Sequence, residues 1–253
     1  MINWLGNHDL NGVSEIKIRS NYNDDIQISL DYLSDKLLEN LKSVESIVEI
    51  YEKKKNFDLI YRKKQFVDKI GDLSFIISPK SFFQVNKYNT SLLYDTAKQM
   101  MNAEANDRIL DLYCGIGTTT MYIGNGNNTI GVEVVKDAVK DANENKKLNN
   151  LESIQFIEEK SENVVGKLTQ EHFDIILVDP PRKGMDEKVV EAIIKSTAQK
   201  LVYISCDPAT LARDLKMLTE NGFEVENVKL VDMFAKTMHV ESVVLMTRVA
   251  PTK

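Results

Sequence analysis

Asp111-Leu112-Tyr113-Cys114-Gly115-Ile116-Gly117-Thr118 is the stretch that decides the fold of this 253-residue chain. The short apolar run RIL precedes it and a helical pattern follows it. Glycines at the carboxyl end of a strand let the backbone turn tightly and approach a ligand closely. The stretch therefore predicts a strand, a ligand-binding loop and a helix in succession.

Short apolar runs alternate with helical patterns from about residue 88 to the end of the chain. Helices are predicted in NTSLLYDTAKQMM and at 119–124, 136–149, 161–168, 186–198 and 208–221, and strands in RILDLY, TIGVEV, SIQFIEE, FDIILVD, KLVYISC, GFEVENVKLVDMF and VESVVLMTRV. Such alternation is typical of a mainly parallel sheet covered by helices on both faces. No helix separates the last two runs, which predicts an antiparallel edge. The predicted fold is α/β and Rossmann-like, with seven strands.

The first third of the chain has a different pattern. SEIKIRSNY, DIQISLDY, SIVEIYEK and DLIYRKK alternate apolar and polar residues, as half-buried strands do. SDKLLENL fits a short helix with Ser34 as its N-cap. We predict a small α+β subdomain over residues 1–72 and the Rossmann-like domain over 73–253.

Composition excludes several classes of protein. The formal net charge of −6 does not indicate a nucleic-acid binder, and two cysteines cannot form a four-thiolate metal or iron–sulfur site. Only three histidines occur, none at chelating spacing with another, so we expect no metal site. No apolar run reaches the ~20 residues that span a bilayer, and no signal peptide is evident, so a cytoplasmic location is predicted. Oligomeric state is not predicted.

The glycine loop fits adenosylmethionine better than a dinucleotide. Thr120 stands where the dinucleotide fingerprint has its third glycine, and acidic residues occur before the loop, at Asp111, and after the next strand, at Glu133. Carboxylates suit the cationic end of adenosylmethionine and the hydroxyls of its ribose. A glycine loop alone is weak evidence, and Asp111 capping a turn is the alternative.

Two further motifs end predicted strands. Asp179-Pro180-Pro181-Arg182-Lys183-Gly184 follows FDIILV, and Cys206 follows KLVYIS just before a predicted helix. A helix N-terminus and a nearby arginine favour a thiolate, which would make Cys206 nucleophilic. A simple turn and a buried structural thiol are the alternatives. In HVESVVLM, a strand would project His239 and Glu241 to the same face.

Taken together and in this order, these motifs resemble the RNA uracil-5 methyltransferases, which are class I methyltransferases. The segments that carry the resemblance are SFFQVN (81–86), DLYCGIGT (111–118), GVE (131–133), DPPRKG (179–184), YISCDPATLARD (203–214) and DMFAKTMHVE (232–241). The resemblance is dense from about residue 70 onward and loose before it. Ala235-Lys236 departs from the family pattern, which often has Pro-His or a similar pair after DMF.

The resemblance implies a function and roles for individual residues. The chain would transfer a methyl group from S-adenosylmethionine to carbon 5 of a uridine in RNA, ribosomal RNA being favoured over transfer RNA. Cys206 would be the nucleophile that adds to carbon 6, and Glu241 would be the general base. The cofactor-binding residues would be Gln84, Tyr113, Gly115, Thr118, Glu133 and Asp179.

Two alternatives remain open. One is a protein that binds adenosylmethionine and RNA without activity, and the other is an amino-methyltransferase acting on a base nitrogen. Relatives commonly carry an N-terminal RNA-binding barrel, and some carry a four-cysteine iron–sulfur site. We expect neither in this chain. RNA affinity would then come from the basic residues 53–55 and 62–64 or from a domain outside this sequence, although such a cluster is also typical of a solvated surface.

Overall fold

The structure is a computed structural model that describes residues 2–161, 163–164 and 172–249. It contains two compact units, one comprising the residues up to Lys69 together with Ser74–Ser81, the other Ile70–Leu73 together with the residues from Phe82 onward. The sequence suggested one boundary, after residue 72. In the structure the chain instead crosses between the units at the hairpin of β5 (Val67–Ile70) and β6 (Leu73–Ile76) and again after Ser81.

The first unit contains a four-stranded sheet with the order β1-β2-β3-β4. Its elements are α1 (Ile2–Leu5), β1 (Ile16–Ser20), β2 (Ile26–Leu30), α2 (Asp35–Lys42), β3 (Ile47–Lys53) and β4 (Phe57–Arg62). The Ser34 side chain accepts a hydrogen bond from the Leu37 N–H and caps α2 as predicted. Leu37 and Leu41, one helical turn apart, are buried in a core with Ile28 and Leu30 of β2. The four predicted strands and the helix are confirmed.

The second unit contains a seven-stranded sheet with the order β12-β13-β11-β10-β7-β8-β9. The strands are β7 (Arg108–Leu112), β8 (Asn128–Glu133), β9 (Ile154–Glu158), β10 (Ile175–Val178), β11 (Lys200–Ser205), β12 (Phe223–Val231) and β13 (Glu241–Arg248), and the helices are α3 (Asn89–Met101), α4 (Thr118–Ile123), α5 (Lys136–Leu148), α6 (Glu187–Lys195) and α7 (Pro208–Thr219). The five strands from β11 to β9 in that order are parallel, and β13 and β12 form the antiparallel edge, as predicted.

β10, the middle strand of the sheet, is apolar along its whole length because both faces of the sheet are covered. All four residues of β10 are buried. In the predicted helix 161–168, Ser161, Asn163 and Val164 are helical, and the remaining residues lie outside the described ranges. Within those ranges, no helix is both long and apolar enough to cross a bilayer, and His, Cys, Asp and Glu side chains form no group of three that could bind a metal ion.

Candidate active site

Acidic and thiol side chains follow or end four neighbouring strands of the large sheet. Asp111 lies in β7, Asp179 directly follows β10, Cys206 directly follows β11, and Glu241 is the first residue of β13. The strand order reverses between β7 and β10, and ligands bind at such a switch point, outside the carboxyl ends of parallel strands. The fold therefore places these four residues at one edge of the sheet.

The pairing of β11 with β13 sets Cys206 next to Glu241. Ser205 pairs with Ser242 in this antiparallel ladder. The ladder ends there, so Cys206 lies one residue beyond it on the side where Glu241 begins β13, and the charge of Glu241 acts on its thiol. The Glu241 side chain is buried and that of Cys206 is half-buried. The structure thus brings the predicted nucleophile and the predicted base together.

His239 does not share a strand face with Glu241, and that prediction was wrong. β13 begins at Glu241, and His239 lies in the preceding turn. The Phe234 carbonyl accepts hydrogen bonds from the N–H and hydroxyl of Thr237, and the Thr237 hydroxyl accepts one from the His239 N–H. These bonds satisfy the backbone locally, so the extended ladder cannot begin earlier.

The pKa of the Cys206 thiol is raised overall, where a lowered value was expected. Asp207 is the N-cap of α7, and its carboxylate accepts the N–H groups of Ala209 and Thr210, both at 3.0 Å. Those bonds lower the pKa of Asp207, so the helix N-terminus is used by this carboxylate. Burial, followed by the charges of Glu241 and Asp179, raises the pKa of Cys206.

The two carboxyl groups beside Cys206 also hold their protons more tightly than usual. Burial, followed by the charges of Glu241 and Asp111, raises the pKa of Asp179 to about 8. Burial raises the pKa of Glu241 as well. Like charges crowded together in a desolvated site make the neutral forms of some of them favourable. This edge of the sheet therefore carries exchangeable protons near neutral pH.

Arg182 is a member of the site to which sequence reasoning gave no role. It lies in the loop after β10, and its positive charge opposes the upward pKa shifts of both Cys206 and Glu241. Its position within DPPRKG, three residues after Asp179, was the available signal. Arg182 is thus a cation that acts on the thiol and on Glu241.

The glycine loop has the backbone geometry that the sequence predicted. Gly115 and Gly117 have φ values of 54° and 85°, and Tyr113, which is not glycine, has a φ of 66°. A non-glycine residue in this region stores strain of ~1 kcal/mol or more, which is commonly found at functional sites. Glu133, the residue expected to bind the ribose hydroxyls, accepts the Gly115 N–H at 3.1 Å and the Val135 N–H at 2.8 Å. The same carboxylate therefore also fixes the backbone of the loop.

Asp111 is buried below this loop, and only one of its oxygens is satisfied. Thr119 and Thr120 donate their hydroxyls to Oδ2, at 2.7 and 2.6 Å. Oδ1 is buried and has no hydrogen-bond partner in the described part of the chain. Burial raises the pKa of Asp111 to about 7. A carboxylate that only caps a turn would not be expected to leave a buried oxygen without a hydrogen-bond partner. The unpartnered Oδ1 therefore favours a role in ligand binding for this side chain.

Thr118 and Gln84 are the remaining predicted residues. Thr118 begins α4, and its hydroxyl shares a 3.1 Å hydrogen bond with the hydroxyl of Tyr94, a buried residue of α3 that sequence reasoning missed. Gln84 is buried in the segment before α3. Cys114 is buried, and burial raises its pKa well above the usual value, which indicates a packing role for this second thiol.

The Gln84 segment lies against the turn that leads to Glu241. The Asn86 side chain donates to the Met233 carbonyl at 3.0 Å, and that of Asn89 donates to the Asp232 carbonyl at 2.6 Å. These two bonds connect the segment 82–89 with the segment 232–234. Residues that are 143 and 147 positions apart in the chain are therefore joined directly in the fold.

A family model described as tRNA (uracil-5-)-methyltransferase matches residues 13–249. The chain belongs to this family. The match confirms the resemblance, since it spans nearly the whole chain. An uncharacterised RNA methyltransferase from Oceanobacillus iheyensis is 40% identical over 227 residues, which are 86% of this chain and 50% of that protein. One from Bacillus cereus is 43% identical over 194 residues, 76% of this chain and 42% of that protein. The chain thus spans about half the length of these family members.

Solved structures share the fold. The tRNA (uracil-54, C5)-methyltransferase of Pyrococcus abyssi, in complex with S-adenosyl-L-homocysteine, is similar with a TM-score of 0.78 and 25% identity over 93% of this chain and 60% of that one. An adenosylmethionine-dependent methyltransferase from Agrobacterium tumefaciens is similar with a TM-score of 0.57 and 14% identity, over 94% of this chain and 91% of that one. The class I methyltransferase fold predicted for this chain is confirmed.

Proposed function

We propose that this chain transfers a methyl group from S-adenosylmethionine to carbon 5 of a uridine in RNA, by way of a covalent bond between Cys206 and carbon 6 of the base. The observation that carries the proposal is the meeting of three groups at one edge of the sheet. The pairing of β11 with β13 leaves Cys206 one residue beyond the Ser205–Ser242 pair, and the charges of the buried Glu241 and of Asp179 act on its thiol. Family membership supports the reaction class. Ribosomal RNA is the substrate that we favour, and a cytoplasmic location fits it.

The residues present fit S-adenosylmethionine. Asp111 Oδ1 is a buried acceptor without a partner in the described ranges, which a ligand ammonium group would satisfy. An added Cβ at Gly115 would meet no atom within 4 Å, so the loop borders open space. Gln84, Tyr113, Thr118, Glu133 and Asp179 would hold the cofactor together with Gly115. When bound, adenosylmethionine supplies an electrophilic methyl group.

Cys206 and Glu241 have complementary tasks in this reaction. Carbon 5 of a neutral uracil ring is a weak nucleophile, and addition of the Cys206 thiolate to carbon 6 makes carbon 5 nucleophilic. Carbon 5 would then take the methyl group, with release of S-adenosylhomocysteine. Glu241 would remove the carbon 5 proton, and the electrons of that bond expel the Cys206 thiolate from carbon 6 and release the methylated base. Burial raises the pKa of Glu241, and a carboxylate with a raised pKa is a stronger base for this proton.

The test uses RNA that contains 5-fluorouridine at the target position. Fluorine at carbon 5 cannot leave as a proton, so the covalent complex cannot resolve. The wild-type chain with adenosylmethionine should give an adduct that survives a denaturing gel. Cys206→Ala should give none, whereas Cys114→Ala, the matched variant at the buried thiol, should give the wild-type amount.

The same experiment separates the alternatives. Methylation that persists in Cys206→Ala would indicate an amino-methyltransferase, which needs no thiol nucleophile. Stabilisation by adenosylmethionine without methyl transfer would indicate a binding protein without activity. Mapping of 5-methyluridine in ribosomal and transfer RNA from cells with and without the gene would identify the substrate, and an effect confined to transfer RNA would refute our preference for ribosomal RNA.

A further inference from the structure

Side chains of α7 hold the backbone of the loop that follows β10. Arg213 Nη2 donates to the carbonyl oxygens of Lys183, at 3.0 Å, and Met185, at 3.2 Å. The Thr210 hydroxyl donates to the carbonyl oxygen of Arg182, at 3.1 Å. Three successive parts of the loop are therefore bound to one helix face, since residues three apart lie on the same side of a helix.

Asp214 holds both the loop and Arg213. Its buried carboxylate accepts the Met185 N–H at 2.9 Å and the Tyr203 hydroxyl at 2.8 Å through Oδ2. Oδ1 accepts from Nε and Nη2 of Arg213, at 2.9 and 2.7 Å. Arg213 is half exposed but Asp214 is buried, and two charge-assisted bonds from one guanidinium to one carboxylate oxygen hold the side chain in a defined orientation. This carboxylate therefore fixes the guanidinium that in turn holds the loop.

Gly184 allows the loop that follows β10 to pass close to Arg213 and Asp214 of α7. Its φ is +76°, and a Cβ there would lie 2.6 Å from Arg213 Nη2 and 2.7 Å from Asp214 Oδ2. Such distances are shorter than any van der Waals contact between these atoms. A side chain at residue 184 would collide with the Arg213–Asp214 pair of α7, so the glycine of DPPRKG is needed where the loop passes this pair.

The residue that this arrangement orients is Arg182, which adjoins Lys183. The charged groups that act on Cys206 are Glu241 of β13, Asp179 after β10, and Arg182. Both acids disfavour a thiolate, and Arg182 favours it. A displacement of Arg182 would leave the thiol facing only groups of like charge.

We propose that Thr210, Arg213 and Asp214 are positioning residues that clamp residues 182–185 onto α7 and so keep the guanidinium of Arg182 beside Cys206. The inference rests on the proposed role of Cys206 as the nucleophile. It assigns to Arg182 the task of favouring the thiolate, and to the second half of SCDPATLARD the task of holding Arg182 in place.

The test is the pH dependence of Cys206 alkylation by iodoacetamide in the full chain without RNA or adenosylmethionine. The thiolate is the reactive form, and the buried Cys114 serves as the unreactive thiol in each sample. Arg182→Gln should slow alkylation at about pH 8 by about threefold to tenfold, since each pKa unit is a factor of ten. Arg213→Ala and Thr210→Val should slow it in the same direction.

A matched control separates position from charge. Lys216→Ala removes a positive charge from the same helix, at a residue paired with Glu220, and should leave the profile unchanged. Arg213 is not among the groups that act most strongly on Cys206. Thr210→Val removes a bond to the Arg182 carbonyl without changing any charge, so an effect that it shares with Arg213→Ala reports a displaced Arg182. Thermal melts of each variant confirm folding, and Thr210→Val provides a second measurement if Arg213→Ala unfolds.

Two outcomes would overturn the inference. An unchanged profile in Arg182→Gln would remove the role of that arginine. A changed profile in Arg182→Gln with unchanged profiles in folded Arg213→Ala and Thr210→Val would remove the clamp. Because alkylation needs neither RNA nor cofactor, these outcomes are distinct from a missing adduct with 5-fluorouridine RNA, which would refute the proposed function itself.

Discussion

At the scale of single residues, buried acids make the stability of the ligand-free protein depend on pH. The pKa values of Asp111 and Asp179 are raised from near 4 to about 7 and about 8. A raised pKa contributes stability that is complete below the unfolded value and is lost as the pH rises through the folded value. The melting temperature should therefore fall from about pH 4 to about pH 8 and level off above it.

Asp179→Asn should flatten this decline because the amide does not ionise. We expect its melting temperature at about pH 9 to exceed that of the wild type by about 2–4 °C, which corresponds to about 1 kcal/mol in a chain of this size. Asp207→Asn is the control. The pKa of Asp207 is lowered, so its contribution is constant above pH 6 and the variant should melt lower without a change of slope. Equal slopes in wild type and Asp179→Asn would contradict the prediction.

Glu241 gives a second prediction at this scale. Glu241→Gln retains the shape of the side chain but cannot accept the carbon 5 proton. We expect turnover on ordinary RNA to fall by about a hundredfold or more, and the methylated covalent complex to accumulate on a denaturing gel. Glu224→Gln, an exposed change on β12, should behave as wild type. Normal turnover of Glu241→Gln would show that another group is the base.

At the scale of elements, the two loop glycines should separate folding from ligand binding. A Cβ at Gly117 would lie 2.6 Å from Phe156 Cζ and 2.7 Å from Met121 Cε, whereas one at Gly115 would contact nothing. Gly117→Ala should therefore lower the free energy of unfolding by about 2 kcal/mol or more, through overpacking and a φ of +85°.

Gly115→Ala should cost only the strain of its φ, about 1 kcal/mol. Its methyl group would enter the open space beside the loop, so we expect the stabilisation by S-adenosylhomocysteine in a thermal melt to be reduced. A Gly115→Ala variant that binds this ligand as the wild type does would place the cofactor elsewhere.

Elements with one strong local pattern were predictable from sequence, and those set by competing local bonds were not. The buried runs of β10 and β11 and the capped helix α2 carry their own signals of apolar continuity or capping. The start of β13 depends on the Thr237 hydrogen bonds, which no hydropathy pattern records.

In the candidate site, Cys206 and Glu241 were predicted through motifs. The raised pKa of Cys206 and the role of Arg182 arise from packing between four strand ends, which sequence spacing does not encode.

At the scale of the whole molecule, the basic cluster of residues 53–64 is less basic than its sequence indicates. Four of its cations form ion pairs with acids. The distances between side-chain nitrogen and carboxylate oxygen are 2.5 Å for Lys53–Glu15, 2.8 Å for Lys54–Glu52, 2.7 Å for Arg62–Glu49 and 2.9 Å for Lys64–Asp25. Exposed pairs of this kind add little stability, but they cancel charge at a distance. In a chain with a net charge of −6, this surface attracts phosphates less than a count of lysines predicts.

RNA affinity should consequently respond more to removal of the acids than to removal of the lysines. We expect the Lys53→Ala, Lys54→Ala double variant to change the slope of log affinity against log salt by less than about one, because ion-paired lysines release few counterions. The Glu15→Gln, Glu52→Gln double variant exposes both cations and should strengthen binding to single-stranded RNA severalfold at low salt. Fluorescence anisotropy at several salt concentrations measures both. A large loss in the lysine variant would instead show that RNA displaces the acids from these lysines, because phosphates can capture a cation only by breaking the pairs that the free protein contains.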